Sequence, residues 1–149
     1  MKVNEIMSPE VKCCSIDTSL DAVAMMMWEG DCGSITVIDE NNKPIGVVTD
    51  RDIAMSCALN HKAPWELSVA TIMINQQVRT CLDTDDMSTA LAIMEDNKVR
   101  RLPVINTEGR LTGFLSIDDI IFRSEKGKSK TGLSYETAMN TLKAVSFNH

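Results

Sequence analysis

The sequence predicts an α+β fold built from two tandem β-α-β-β-α repeats, related as a pseudo-two-fold pair and followed by a short helical tail. Three observations lead there. The 149-residue chain matches itself at a shift of 67 positions. Both copies carry an apolar stripe at helical spacing. Both then carry two short β-leaning segments around a polar turn.

The self-match runs without a gap from Val11 to Ile53. Val11 falls on Val78, Cys14 on Cys81, Met27 on Met94, Val37-Ile38 on Val104-Ile105, Gly46 on Gly113 and Asp52-Ile53 on Asp119-Ile120. Ile6-Met7 finds Ile72-Met73 at a shift of 66. The period exceeds that of solenoid repeats and there are two copies, so each must bury its apolar face against a partner. A unit of about 60 residues is marginal alone.

Element by element, Val11–Ile16 and Val78–Leu82 lean towards strands. Leu20, Val23, Ala24 and Met27 then stand at i, i+3, i+4, i+7, as do Met87, Ala90, Leu91 and Met94. Thr18 or Ser19 can cap the first of these helices, and Asp85 or Asp86 the second. Gly30 and Asn97 are stop signals. Ile35–Ile38 and Leu102–Ile105 lead through polar turns to strands at Gly46-Val47-Val48 and Gly113-Phe114-Leu115. Thr49-Asp50-Arg51-Asp52 and Ser116-Ile117-Asp118-Asp119 open the last helix of each copy. The expected divisions are 1–62 for the first repeat, 63–123 for the second, and 124–149 for a basic linker and C-terminal amphipathic helix. Asn60–Glu66, with Pro64, reads as the linker between repeats. Ser124–Lys130 reads as a mobile basic stretch, and Tyr135, Ala138, Met139, Leu142 and Val145 as the stripe of the tail helix.

Composition narrows the function classes. The net charge of −6 and few aromatics disfavour nucleic-acid binding. Lys126, Lys128 and Lys130 read as a solvated linker. No apolar run approaches the roughly 18 residues of a membrane span, and the first residues lack a secretory signal's apolar core. A cytoplasmic location is therefore expected. Five cysteines, with no C-x-x-C, argue against a disulfide framework or a zinc site. They are expected to be small, mostly buried hydrophobes, and the ten methionines adaptable core filler. His61 and His149 have no partner motif. No nucleophile–base pair, metal cluster or Walker loop is present, so no catalytic residue and no metal ligand is assigned and no enzyme is expected.

The two boxes Thr49-x-x-Asp52 and Ser116-x-x-Asp119 carry two readings. Such a box before an apolar helix is a capping box. An ionised carboxylate there can also accept hydrogen bonds from two ribose hydroxyls, beside helix N–H groups that favour phosphate. Gly46 and Gly113 would let a ligand approach the strand closely.

Ile6-Met7-Ser8-Pro9, the first helical stripe and Gly46–Ile53, with their second copies through Val99–Val104 and Gly113–Ile120, resemble the cystathionine-β-synthase (CBS) domain family. The resemblance covers about Val3 to Arg123. It implies a pair of CBS repeats with two clefts between them that bind AMP, ADP, ATP or S-adenosylmethionine as a regulatory ligand, with no cofactor required. By that resemblance Thr49 and Asp52 share a cleft with Arg100 and Arg101, while Ser116 and Asp119 share one with Arg51. Arginine suits phosphate because its planar fork donates two hydrogen bonds. Cys32-Gly33-Ser34 stands where the other copy has Val99-Arg100-Arg101, so the cleft with the arginine pair is expected to bind more tightly. The purine is expected near Val11–Ser15 or Val78–Leu82. The resemblance further implies a homodimer and a regulated protein acted on in trans, with neither nucleic acid nor membrane as partner. The alternative is a dimerisation or protein-interaction module whose clefts stay empty.

Overall fold

The computed structural model describes residues 1–74, 76–126 and 133–146. It divides into two compact units: a central one, Val11–Val78, and a terminal one made of Met1–Glu10 with Arg79–His149. Each follows the expected β-α-β-β-α order.

In the central unit, β1 (Cys13–Cys14) leads to α1 (Leu20–Gly30), β2 (Ser34–Ile38), β3 (Pro44–Thr49) and α2 (Asp50–Asn60). A 3-10 turn, Pro64–Glu66, and the short α3 (Ala70–Met73) complete it. β2 lies in the middle of the sheet, parallel to β1 and antiparallel to β3. The helical stripe lands as expected: Leu20, Val23 and Met27 are buried with Ile35, Val37, Val48 and Ile53. Each large side chain so buried contributes about 1.5–3 kcal/mol.

The terminal unit repeats this with β4 (Cys81–Leu82), α4 (Met87–Asn97), β5 (Arg101–Ile105), β6 (Leu111–Ser116) and α5 (Ile117–Arg123). β5 is the middle strand, with the same mixed pairing and the same register shift near its end. The tail helix, α6 (Tyr135–Ser146), packs on α4 and α5. Its buried face is Ala138, Thr141 and Val145, while Tyr135 and Met139 are exposed. That face is rotated from the expected stripe. A buried threonine is acceptable because its hydroxyl donates to Glu95 Oε1 at 2.6 Å. Lys128, Lys130 and His149 lie outside the described residues.

The segment before each repeat serves the other unit. In the terminal unit, a 3-10 turn at Val3–Glu5 buries Val3 and Ile6 among Leu102, Val104 and Leu115. Val3 N–H donates to Asp85 O at 2.9 Å and Asn4 N–H to Asp83 O at 3.0 Å. Leu67–Met73 plays this part in the central unit, with Val69 fully buried. Asn60–Glu66, expected as a linker, thus lies inside the central unit, its 3-10 turn against α1.

These arms also close the helix starts. The N-caps are Ser19 and Asp86, yet neither side chain makes a capping hydrogen bond. Leu20 N–H instead donates to Leu67 O at 3.0 Å, and Met87 N–H to Met1 O at 2.9 Å. The helices stop one residue past the expected signals, with Asp31 and Lys98 left-handed at φ 48° and 55°.

Both glycine expectations need correcting. A Cβ on Gly46 would strike Met73 Sδ and Gln76 Oε1, and one on Gly113 would strike Met7 Sδ. The space at each glycine is filled by an arm and is not open to a ligand. The arms differ in how they join the sheet. Ser8 forms a backbone bridge with Phe114, at 2.8 and 2.9 Å. Phe114 corresponds to Val47, and there the Gln76 side-chain amide replaces the backbone. Its Oε1 accepts from Val47 N–H at 2.5 Å and its Nε2 donates to Val47 O at 2.9 Å.

Candidate functional site

Each box sits where a middle-strand partner turns into a helix. Thr49 and Ser116 end β3 and β6 in extended backbone, at φ −106° and −116°. The Thr49 hydroxyl accepts from Asp52 N–H at 3.1 Å, and Asp52 Oδ2 accepts from Thr49 N–H at 2.9 Å. In the other copy, Ser116 Oγ accepts from Asp119 N–H at 3.2 Å, and Asp119 Oδ2 accepts from Ser116 N–H at 2.8 Å. The Ser116 hydroxyl also donates to that Oδ2 at 2.8 Å. Both are therefore capping boxes.

Capping does not exhaust the carboxylate. An ionised carboxylate offers about four acceptor sites. In both boxes the cap uses Oδ2, and Oδ1 takes part in no hydrogen bond among those of the described residues. Asp52 and Asp119 are half-buried, so each holds an acceptor at a fixed angle beside solvent.

The arginines stand close to a box. Arg101 begins β5 directly opposite Ser116. Arg100, also half-buried, accepts at its carbonyl from Ile117 N–H, at 2.9 Å. Arg51 is exposed on the first turn of α2, after Thr49. The ion pairs among the described residues, Lys2–Asp86 and Arg110–Glu108, involve none of these three. In the central unit, Ser34 faces Thr49 and the Gly33 carbonyl accepts from Asp50 N–H at 3.1 Å, so no basic side chain takes these places. Arg100 and Arg101 belong to the terminal unit, Thr49, Asp52 and Arg51 to the central one, and Ser116 and Asp119 to the terminal one.

The strand expected to lie against the purine begins at the box end of its sheet. Thr36 N–H donates to Lys12 O at 3.3 Å, and β2 reaches Thr49 two residues earlier, at Ser34. A cavity of about 680 Å³ along Cys13–Thr18 opens instead at the hairpin end, beside Ile38–Asn41 and Ile45. A second, of about 460 Å³, lies between α1 and α2. Neither is lined by Thr49 or Asp52.

The cysteines are only partly what composition suggests. Cys14 and Cys81 are buried and Cys13 and Cys57 half-buried, but Cys32 is exposed. Burial pushes the Cys14 thiol up to about 11 and that of Cys81 to about 12. Among the described residues no group of three or more His, Cys, Asp or Glu could hold a metal ion. No helix of the described residues is long and apolar enough to cross a membrane. Two residues with structural roles escaped the sequence reading. Gln76 corresponds to Pro9 and so shows no repeat signal. Lys12 folds over Gly30 at the C-terminal end of α1, where a cation is favoured.

Two three-stranded sheets, each entering its last helix through the same box, define a duplicated β-α-β-β-α module. The CBS domain family matches residues 3–58 and again 69–126. The chain belongs to the CBS-domain family. It is 32% identical over 99 residues to protein MK0525 of Methanopyrus kandleri, covering 66% of this chain and 50% of that protein. It is 31% identical over 119 residues to a 17.7 kDa protein of Acidianus ambivalens, covering 80% of this chain and 70% of that one. The chain thus spans half of the first relative's length. Among solved structures, Hypoxic Response Protein I with two coordinated zinc ions is 26% identical at a TM-score of 0.74, over 84% of this chain and 100% of that one. The CBS domain pair of protein MJ0100, in complex with 5′-methylthioadenosine and S-adenosyl-L-methionine, is 22% identical at 0.67, over 80% and 96%. CBSX2 in complex with AMP is 23% identical at 0.68, over 81% and 93%.

Proposed function

We propose that this chain is a regulatory module, not an enzyme, that binds an adenosine-containing ligand and acts on a separate protein in trans, itself a homodimer in the cytoplasm. AMP, ADP, ATP and S-adenosylmethionine are the candidate ligands. One observation carries the reading. In both units the box carboxylate is locked by its own cap through Oδ2, leaving Oδ1 as a prepositioned acceptor. Ribose hydroxyls suit that acceptor. Thr49 and Ser116 orient it, and Arg51, Arg100 and Arg101, outside the ion pairs of the described residues, supply forks for phosphate. Proteins of this fold hold AMP in one of the structures above and S-adenosyl-L-methionine in another.

Calorimetric titration of the wild type and of Asp52→Ala and Asp119→Ala with the four ligands tests this. Losing one charge-assisted hydrogen bond of about 1.5–3 kcal/mol should weaken binding by roughly 10- to 150-fold in Asp52→Ala. Double variants with Arg100→Ala, Arg101→Ala or Arg51→Ala then assign each arginine to its carboxylate. Unchanged affinity in Asp52→Ala, with binding abolished in Asp119→Ala, would reverse the assignment. The closed capping boxes favour a second reading, an interaction module without ligand. It predicts no thermal stabilisation by any of the four, where a ligand at 100 times its Kd adds about 2.7 kcal/mol.

A further inference from the structure

The two sheets differ at the hairpin end. Cys14–Val37 and Cys81–Val104 are equivalent pairs of the first and middle strands. In the terminal unit the ladder runs one pair further, to Leu82–Ile105, and Asp83 N–H then donates to Ile105 O at 2.9 Å. In the central unit it stops at Cys14–Val37. The equivalent bond, from Ile16 N–H to Ile38 O, is not among those of the described residues. The cavity of about 680 Å³ lies where β1 and β2 separate. Its size suits a small molecule. Side chains set the units apart as well. Shifted by 67, Ile16, Ile38 and Ile45 of the cavity become Asp83, Ile105 and Thr112. The Thr112 hydroxyl donates to Asp83 Oδ2 at 3.5 Å, so the terminal unit is polar and bonded across where the central one is apolar and open. Asp17, Asp39 and Glu40, which line the cavity, become the neutral Thr84, Asn106 and Thr107.

We propose that this cavity binds a small organic cation, a primary amine on an apolar body, at a site separate from the boxes. The charge is argued from the lining. It holds three carboxylates and no Lys or Arg, and none of the three is in an ion pair among the described residues. A cleft lined by one sign of charge over apolar walls concentrates the opposite charge. Asp39 is held in place, because its Oδ1 accepts from Asn41 N–H at 2.8 Å and from Lys43 N–H at 2.9 Å. The apolar body is argued from Ile16, 42% exposed, and from Ile38 and Ile45, both half-buried. Thr36 adds a buried polar group on the same side. Alternation along β2 puts it on the face of Ile38, away from Ile35 and Val37 in the core. Its hydroxyl is 1% exposed and has no partner among the described residues. Thr36 is also in register with Cys13, which lines the cavity. An ammonium is a donor that carboxylate and hydroxyl oxygens both accept. A nucleotide phosphate would meet like charges here, so this site and the boxes select different ligands.

The inference goes beyond the proposed function and does not depend on it, since no box residue lines the cavity. The probes are tryptamine and indole-3-propionate, which share an indole and a two-carbon arm and differ in the sign of their charge. Each is titrated into the full isotope-labelled chain, and backbone amide resonances are followed one by one. Tryptamine should shift the amides of Ser15–Thr18 and Ile38–Asn41 to saturation and leave those of Thr49–Asp52 and Ser116–Asp119 in place. Indole-3-propionate should shift neither set. The variants borrow residues from the terminal unit. Asp17→Thr with Asp39→Asn and Glu40→Thr should weaken tryptamine at least tenfold. Asparagine is compatible with the turn, because Asn106 Oδ1 accepts from Glu108 N–H and Arg110 N–H at 3.0 Å each. Ile45→Thr keeps every charge and should weaken tryptamine through the lost apolar wall. Circular dichroism confirms that the variants fold. The proposal is overturned by equal shifts from the two probes, by no saturable shift from tryptamine, or by an unchanged affinity in the triple variant. Shifts confined to the two boxes overturn it too, and would assign the amine to the adenosine site.

Discussion

Replacing Gln76 with alanine removes a side chain that stands in for backbone. Its amide exchanges two hydrogen bonds with Val47, at 2.5 and 2.9 Å, where the other unit uses the main chain of Ser8. A typical internal hydrogen bond contributes about 1 kcal/mol net, so Gln76→Ala should cost about 2 kcal/mol. Val47 is only half-buried, and water can reach part of what is lost. For a chain of this size that corresponds to a fall in Tm of roughly 4–8 °C. Urea titration should show a lower midpoint with an unchanged slope, because the folded surface hardly changes. Amide exchange gives the local reading: the Val47 N–H should lose protection more than its neighbours in β3. Ser8→Ala is the control. That residue pairs with Phe114 through its backbone, so the variant should stay within about 0.5 kcal/mol of wild type. If Gln76→Ala also falls within that margin, and Val47 exchanges at the wild-type rate, the amide is not a structural bridge.

Thr36 is 1% exposed and its hydroxyl has no partner among the described residues, so Thr36→Val should be neutral or stabilise by up to about 1 kcal/mol in urea titration. A loss above that would mean that the hydroxyl is bonded. Cys14 and Cys81 ionise in the folded state at about 11 and 12, above the ordinary 9.0. Their contribution is therefore complete below pH 9 and is lost as pH rises through those values. Stability measured from pH 8 to 11 should fall less steeply in Cys14→Ala and Cys81→Ala than in wild type. At pH 8 a thiol reagent should label exposed Cys32 first and reach Cys14 and Cys81 only on unfolding.

The doubled pattern made the fold legible because burial repeats with it. The stripes at Leu20–Met27 and Met87–Met94 and the hairpins after them could be placed without coordinates. The arms could not. Ile6-Met7 and Ile72-Met73 were visible as a matched pair, but a shift between repeats does not say which core each copy joins. That depends on long-range pairing, such as Val3 with Asp85, which leaves no local signal. For the same reason Gly46 and Gly113 suggested room for a ligand where arm side chains lie. The site was half legible. Residue spacing located both boxes, but a capping box and a ribose acceptor share one pattern, and only the use of Oδ2 rather than both oxygens separates the two roles. The α1–α2 groove was hidden because the stripe of α1 looks like that of α4. What differs, among the described residues, is α6, which packs on α4 and α5.

The arm exchange sets an order of assembly at the ribosome. The central unit is one unbroken stretch, Val11–Val78, and can close as soon as its last residue emerges. Met1–Glu10 leaves the tunnel before any of it, yet its partners at Asp83, Asp85 and Phe114 emerge only after the central unit is complete. Val3 and Ile6 have no core to enter until those partners emerge. Closing that long loop carries an entropy cost that grows only slowly with its length, but it slows folding. The Met1–Glu10 arm is thus placed only after the unit that follows it in sequence, and a nascent chain stalled before β6 would display it as an unpacked apolar segment.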